Sequence, residues 1–280
     1  MLKPVLETAI LRLEENAVGS PRLNAEVLLM FTLQCDRAYL YAHPERELTA
    51  EELARYDEAL AERARGVPSQ YITGHQEFWG LDFIVSPAVL IPRPETEHLV
   101  ETVLELAAPE APACRIVDVG TGSGCIALAL ASALPQAELW ALDISPAALE
   151  IARANAARLQ LTERVRFAES DSLTGLPPGM QFDFVVSNPP YVGESEADMV
   201  QREVRKFEPH QAVFGGAGGL EVITRLIPQA CAKLKPGGWF LMEIGYTQEA
   251  AVRELLSGWQ EVRSVADLQG IPRVMVARRS

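Results

Sequence analysis

Cysteine is scarce in this chain. Four occur in 280 residues, Cys35, Cys114, Cys125 and Cys231, and no two form a C-x-x-C pair. Such spacing offers neither a disulfide framework nor a metal knuckle, and reads as reduced cytosolic thiols packed in a core. Histidine is equally sparse: His43, His75, His98 and His210 are scattered without ligand spacing, so no metal site is expected. No segment approaches the roughly 18 apolar residues of a membrane-spanning helix. The start meets Glu7 too early for a secretory signal. A cytoplasmic protein with no membrane partner is the expectation. Positive charge is also in short supply, with 25 Lys and Arg against 38 Asp and Glu and a net charge of −13. Nucleic-acid binders normally carry a basic face. Here even the cluster Arg202, Arg205 and Lys206 is interrupted by Glu203 and Glu208, so no direct nucleic-acid contact is expected. Internal repeats and low-complexity tracts are absent.

What is present is a chain 48% hydrophobic, long enough for one large domain and a smaller one. Residues 1–73 have helical spacing. Val5, Ile10, Leu13 and Ala17 mark one helix, and Val27, Leu28 and Phe31 a second. Thr49 and Glu52 form a capping box that opens a third, carrying Leu53, Tyr56, Leu60 and Ala64. This predicts a small helical bundle. Residues 74–92 change character: Phe78 to Val85 reads as a β-hairpin connector with Gly80 at its turn. A proline-stiffened lead-in, Pro92-Arg93-Pro94-Glu95, opens a helix through Leu106 and starts a domain spanning 93–280. From Arg115 onward strands and helices alternate. Strands are predicted at 115–119, 139–142, 165–168, 182–187, 239–244, 262–265 and 274–277, with Lys235-Pro236-Gly237-Gly238 as a turn into the fifth. Ser145-Pro146 caps the second intervening helix. The alternation predicts an α/β fold, doubly wound around a mostly parallel seven-stranded sheet.

Two segments carry chemistry. Val117-Asp118-Val119-Gly120-Thr121-Gly122-Ser123-Gly124 is a strand, a glycine-rich turn and a helix start, a backbone shape that lets a ligand approach closely. A G-x-G-x-x-G dinucleotide turn would want glycine where Cys125 stands. Asp118 can anchor the loop or meet a cationic amino group. Asp143 ends the next strand, where a carboxylate can accept from ribose hydroxyls. Glu169-Ser170-Asp171-Ser172 ends the third, where an acid can accept from an adenine amino group. All lie at carboxyl ends of neighbouring strands, where open α/β sheets bind ligands. The second segment is Asn188-Pro189-Pro190-Tyr191, after the strand Phe182 to Ser187. Two prolines stop ladder and helix alike and leave a rigid corner. It offers an amide, undonated carbonyls and an aromatic ring. Asn188 and a proline carbonyl can accept the hydrogens of a planar NH₂ group, and Tyr191 can stack on its face.

The glycine-rich turn resembles motif I of Rossmann-like, class I S-adenosylmethionine-dependent methyltransferases. Asn-Pro-Pro-Tyr after such a framework marks those acting on adenine, cytosine or glutamine amides. Pro68 to Gly74, Phe78 to Phe83, Val89 to Glu97, Ser187 to Tyr191, Glu208-Pro209 and Glu243-Ile244-Gly245 together look like the release factor glutamine methyltransferase family, over essentially the whole chain. The resemblance implies methyl transfer from S-adenosylmethionine, with S-adenosylhomocysteine as product, to the side-chain amide of the glutamine in the Gly-Gly-Gln loop of class-1 peptide release factors. It implies a monomer whose helical domain docks the substrate. Cofactor contacts are implied for Gly120, Thr121, Gly122, Ser123, Gly124, Asp143, Asp171, Ser172 and Asn188. Catalytic and substrate contacts are implied for Asn188, Pro189, Pro190 and Tyr191, with Arg93 and Glu95 also toward the substrate. One departure stands out: Gly218 occupies the place of a usual acid in Gly215-Gly216-Ala217-Gly218-Gly219-Leu220, which puts that loop's role in question. The alternative activity is an adenine or cytosine amino methyltransferase, disfavoured by the acidic charge and the connector. A non-catalytic adaptor for release factors is disfavoured by the complete cofactor constellation.

Overall fold

The computed structural model describes residues 1–107 and 113–280. The chain forms two compact units, Met1–His75 with Arg202–Phe207, and Gln76–Gln201 with Glu208–Ser280.

The first unit holds α1 (Leu2–Glu15), α2 (Pro21–Leu33), α3 (Arg37–Ala42), α4 (Ala50–Ala64) and α5 (Ser69–Thr73). Its apolar stripes meet in a core containing Leu13, Leu28, Leu29, Tyr56 and Leu60. The capping box forms as expected: Glu52 N–H donates to Thr49 Oγ1 at 3.1 Å, and Thr49 N–H to Glu52 Oε2 at 2.9 Å. Arg63 is buried with its guanidinium on Asn24 Oδ1 (2.7 Å), Val67 O (3.1 Å) and Glu203 Oε2 (2.8 Å). Through Glu203 the short helix Arg202–Phe207, α9 in chain order, groups with this bundle. No local sequence pattern announces that grouping, because its partner lies far away along the chain.

The hairpin of β1 (His75–Phe78) and β2 (Leu81–Ile84) opens the second unit, with His75 itself grouped in the first. Trp79 and Gly80 make its turn, both at positive φ (56° and 69°). The elements α6 (Glu97–Leu106), β3 (Arg115–Val119), α7 (Cys125–Ala133), β4 (Glu138–Asp143), α8 (Pro146–Arg158), β5 (Val165–Glu169) and β6 (Phe182–Ser187) follow. After α9 come α10 (His210–Val213), α11 (Glu221–Lys233), β7 (Leu234–Glu243), α12 (Glu249–Leu255), β8 (Gln260–Ala266) and β9 (Pro272–Arg278). The seven-stranded sheet has the order β5-β4-β3-β6-β7-β9-β8. It is parallel through β7, and β9 runs antiparallel to both neighbours.

Alternate residues of each strand face opposite layers. Ile116, Leu139, Phe184, Val186 and Leu241 pack with α6 and α7. Val117, Val119, Leu142, Val185 and Met242 pack with α11 and α12. Both faces are therefore dry, which is why these strands read as continuous apolar runs. One expectation needs correction. Lys235 to Gly238 is not a turn before a strand but a bulge inside β7, since Phe182 pairs with Leu234 and Phe184 already with Trp239. Gly237 at φ 76° lets the extra residues loop out, and its N–H is taken up by Arg279 O at 3.0 Å.

Candidate active site

The strand order reverses between β3 and β6. The chain steps outward from β3 to β4 and β5, then returns to the other flank of β3 as β6. Val119 lies opposite Ser187, and the Ser187 hydroxyl donates to Val119 O at 2.7 Å. The next residue on β3 is Gly120 and the next on β6 is Asn188. The glycine-rich turn and the proline corner thus flank one crevice at the switch point, the place where such sheets bind ligands. A cleft of about 320 Å³ opens there.

The turn is built by its backbone. Gly120 N–H and Thr121 N–H both donate to Leu142 O at 2.8 Å, and Gly122 N–H donates to Asp143 Oδ2 at 2.8 Å. Gly120 and Gly122 take positive φ (75° and 55°) and line the cleft, with nothing within 4 Å of where a Cβ would stand. Gly124 differs. A Cβ there would lie 3.1 Å from Leu128 Cδ1 and 3.2 Å from Ala152 Cβ, so this glycine lets α7 and α8 pack closely and does not line the cleft. Asp118 is buried and accepts the Thr121 hydroxyl at 2.6 Å, which makes it an anchor of the loop. Burial pushes its carboxyl up to about 7, against the pull of the Thr121 hydrogen bond. Asp143 accepts Ser145 N–H at 2.9 Å on its second oxygen. Burial raises this carboxyl too, opposed by the backbone donors. Thr121, Ser123, Asp171 and Ser172 join the lining. Asp171 is half-exposed and lies 3.8 Å from Arg225.

At the corner, Asn188, Pro189 and Pro190 line the cleft and Tyr191 does not. Asn188 Nδ2 donates to Thr96 Oγ1 at 3.1 Å, and the Thr96 hydroxyl donates to Glu243 Oε2 at 2.6 Å. Tyr191 turns its ring toward the sheet core and donates its hydroxyl to Glu243 Oε1 at 3.2 Å. Burial raises the Glu243 carboxyl, with the Thr96 and Tyr191 hydroxyls pulling it back. The sequence alone does not distinguish Thr96 or Glu243 as site residues. Both sit in quoted motifs, and an acid ending an apolar strand was the available signal. Arg93 lines the cleft and is held by Glu208, whose other oxygen accepts Ile91 N–H at 3.2 Å; Glu95 does not reach the lining.

The loop with the departure backs the corner. A Cβ on Gly215 would lie 2.3 Å from Pro190 O, and one on Gly219 2.3 Å from Tyr191 O. Gly218 itself is exposed and donates its N–H to Glu221 Oε1 at 2.9 Å. The loop's packing role rests on Gly215 and Gly219, and does not call on an acid at 218.

Comparison with known proteins agrees with this geometry. The family model described as the PrmC N-terminal domain matches residues 5–74, and the methyltransferase small domain matches 95–210. Release factor glutamine methyltransferase of Koribacter versatilis is 61% identical over 278 residues, covering 99% of this chain and 98% of that protein. The chain belongs to the release factor glutamine methyltransferase family. The member from Moorella thermoacetica is 43% identical over 281 residues, covering 99% and 98%. Among solved structures, human methyltransferase 10 domain containing protein superposes with a TM-score of 0.54 at 20% identity, covering 80% of this chain and 97% of that one. A T. thermophilus 16S rRNA methyltransferase in complex with AdoMet and guanosine gives 0.53 at 22%, covering 74% and 50%. These two likenesses concern the fold. The family's methyl donor is S-adenosylmethionine, and the residues present fit it. Gly120 and Gly122 leave their side-chain space open, Asp143 presents a carboxylate beside them, and the buried Ser123 Oγ, in the lining, has no hydrogen-bond partner among the described residues. Among the described residues no cluster of three or more His, Cys, Asp or Glu is placed for a metal ion, and no helix is long and apolar enough to cross a membrane.

Proposed function

We propose that this enzyme methylates the side-chain amide nitrogen of the glutamine in the Gly-Gly-Gln loop of class-1 peptide release factors. The observation that carries the reading is the register of β3 and β6, which sets Asn188 one residue beyond Ser187 and Gly120 one residue beyond Val119. An amide acceptor and a nucleoside-binding turn therefore open on the same cleft.

Bound S-adenosylmethionine supplies an electrophilic methyl group on a sulfonium. Gly120 to Ser123 and Asp143 would hold the donor, with the Asp143 carboxylate suited to ribose hydroxyls and Asp171 and Ser172 suited to its base. Asn188 Oδ1 and the Pro189 carbonyl accept the two amide hydrogens of the glutamine. That grip would fix the amide plane, and with it the direction of the nitrogen lone pair. An amide nitrogen is a weak nucleophile because its lone pair is delocalised, and positioning contributes up to about 7–11 kcal/mol in favourable cases. The methylated amide sheds its extra proton readily, so a strong general base is not required. Pro190, clamped by Gly215, keeps the corner rigid. Arg93, fixed by Glu208, faces the incoming protein. The helical unit docks the release factor as a folded protein, the chain acts as a cytoplasmic monomer, and it makes no direct nucleic-acid contact.

The test is methyl transfer from labelled donor to purified release factors, with mass spectrometry of tryptic peptides. Label on the Gly-Gly-Gln peptide supports the reading. Label on DNA or RNA amino groups instead would favour an adenine or cytosine amino methyltransferase.

A further inference from the structure

Asn188 is useful to the substrate only with its oxygen toward the cleft. Turned over, it would present an NH₂ group to another NH₂ group. The amide's two ends have nearly the same shape, so packing alone does not choose between them. A hydrogen-bond chain does. Asn188 Nδ2 donates to Thr96 Oγ1, and Thr96 can accept that bond because its own proton is given to Glu243. Tyr191 gives its proton to the other Glu243 oxygen. Every bond in the chain runs toward one carboxylate. Both Glu243 oxygens are already taken as acceptors by these two hydroxyls, so no member can reverse without leaving a buried group unpaired. Thr96 is 2% exposed and Glu243 3%, which makes such a loss costly.

We propose that Thr96 and Glu243 are positioning residues that lock the Asn188 amide with its oxygen facing the substrate amide. The same carboxylate fixes Tyr191, so one buried acid sets both ends of the corner. The inference rests on the glutamine-amide reading given above. A group able to donate at position 243 would break the direction of the chain. It would let the Thr96 proton turn to Asn188 and the Asn188 nitrogen turn to the cleft.

The experiment compares wild type with T96V, T96S and E243Q. Thermal melting and calorimetric donor affinity are measured first, then kcat and KM on an intact release factor. Hydrogen exchange of the Asn188 side-chain amide, assigned by its loss in N188D, is followed by NMR without donor. T96V and E243Q are expected to melt cooperatively and bind donor within about twofold of wild type. Their kcat at saturating release factor should fall at least about tenfold, the equivalent of about 1.4 kcal/mol. T96S should regain most of what T96V loses. The Asn188 amide should exchange at least about tenfold faster in T96V than in wild type. If E243Q does not fold, the T96V and T96S pair decides. A folded T96V with wild-type kcat and unchanged exchange would overturn the inference, as would a T96S as impaired as T96V. Wild-type enzyme inactive on release factor is a separate outcome, which would overturn the substrate reading and this inference with it.

Discussion

Asn188 presents a donor edge and an acceptor edge within one planar group, and its donor edge is spent on Thr96. Removing the group in Asn188→Ala should leave one substrate N–H unpaired in a dry site, at about 1–3 kcal/mol before any loss of alignment. Single-turnover assays on saturating release factor should show kcat down by roughly tenfold to hundredfold or more. Near-normal rates would remove Asn188 from the chemistry. Asp143 is expected to act on the donor alone. Charge-assisted hydrogen bonds to ribose contribute about 1.5–3 kcal/mol, so Asp143→Ala should weaken calorimetric donor affinity while the fold survives. Asp118 gives a pH signature. Its carboxyl stands near 3.8 in the unfolded chain and about 7 in the fold. The folded state therefore holds the extra proton, and Asp118 costs stability as pH rises from about 4 to about 7. Melting of Asp118→Asn against wild type should show the variant's relative stability rising across that window and flat above it. A gap independent of pH would contradict the raised carboxyl.

The elements were largely legible because local signals and burial agreed. Ser145 caps α8 by accepting Ala148 N–H at 3.2 Å, with Pro146 at the first helical position. The apolar run 182–187 became the central strand β6 because helices cover both of its faces. The α4 box also formed, and Thr49→Ala should lower the stability of the helical unit by about 0.5–2 kcal/mol in urea melts. Other features were illegible for physical reasons. The bulge in β7 uses the same proline and glycines as a turn, and only pairing with β6 distinguishes them. The distinct role of Gly124 comes from Leu128 and Ala152, which no motif spacing reveals. Thr96 and Glu243 meet through tertiary contact between distant segments. Tyr191 could be placed at the corner from sequence, yet its hydroxyl's commitment to Glu243 could not. The loop 215–219 offers a direct test of the clamp. Gly215→Ala would drive a Cβ against Pro190 O, and such overpacking costs about 1–3 kcal/mol. It should lower both melting temperature and kcat. A variant with wild-type values in both would mean that the corner tolerates displacement.

At the scale of the whole molecule, docking is proposed for the helical unit and chemistry for the second. The described residues that line the cleft all belong to the second unit. Remote contacts that position a reacting loop raise kcat as well as affinity. An intact release factor should therefore exceed a short Gly-Gly-Gln peptide in kcat/KM by at least about tenfold; equal values would remove the docking role. A net charge of −13 disfavours electrostatic steering of duplex nucleic acid, in keeping with the proposed protein substrate. The most direct measurement is transfer from labelled S-adenosylmethionine in parallel reactions with a class-1 release factor, the same factor with its Gly-Gly-Gln glutamine replaced, and DNA. The expected result is one methyl group on that glutamine's side-chain amide, none on the substituted factor and none on DNA. Methylation of the substituted factor, or robust transfer to DNA with none to the native factor, would contradict it.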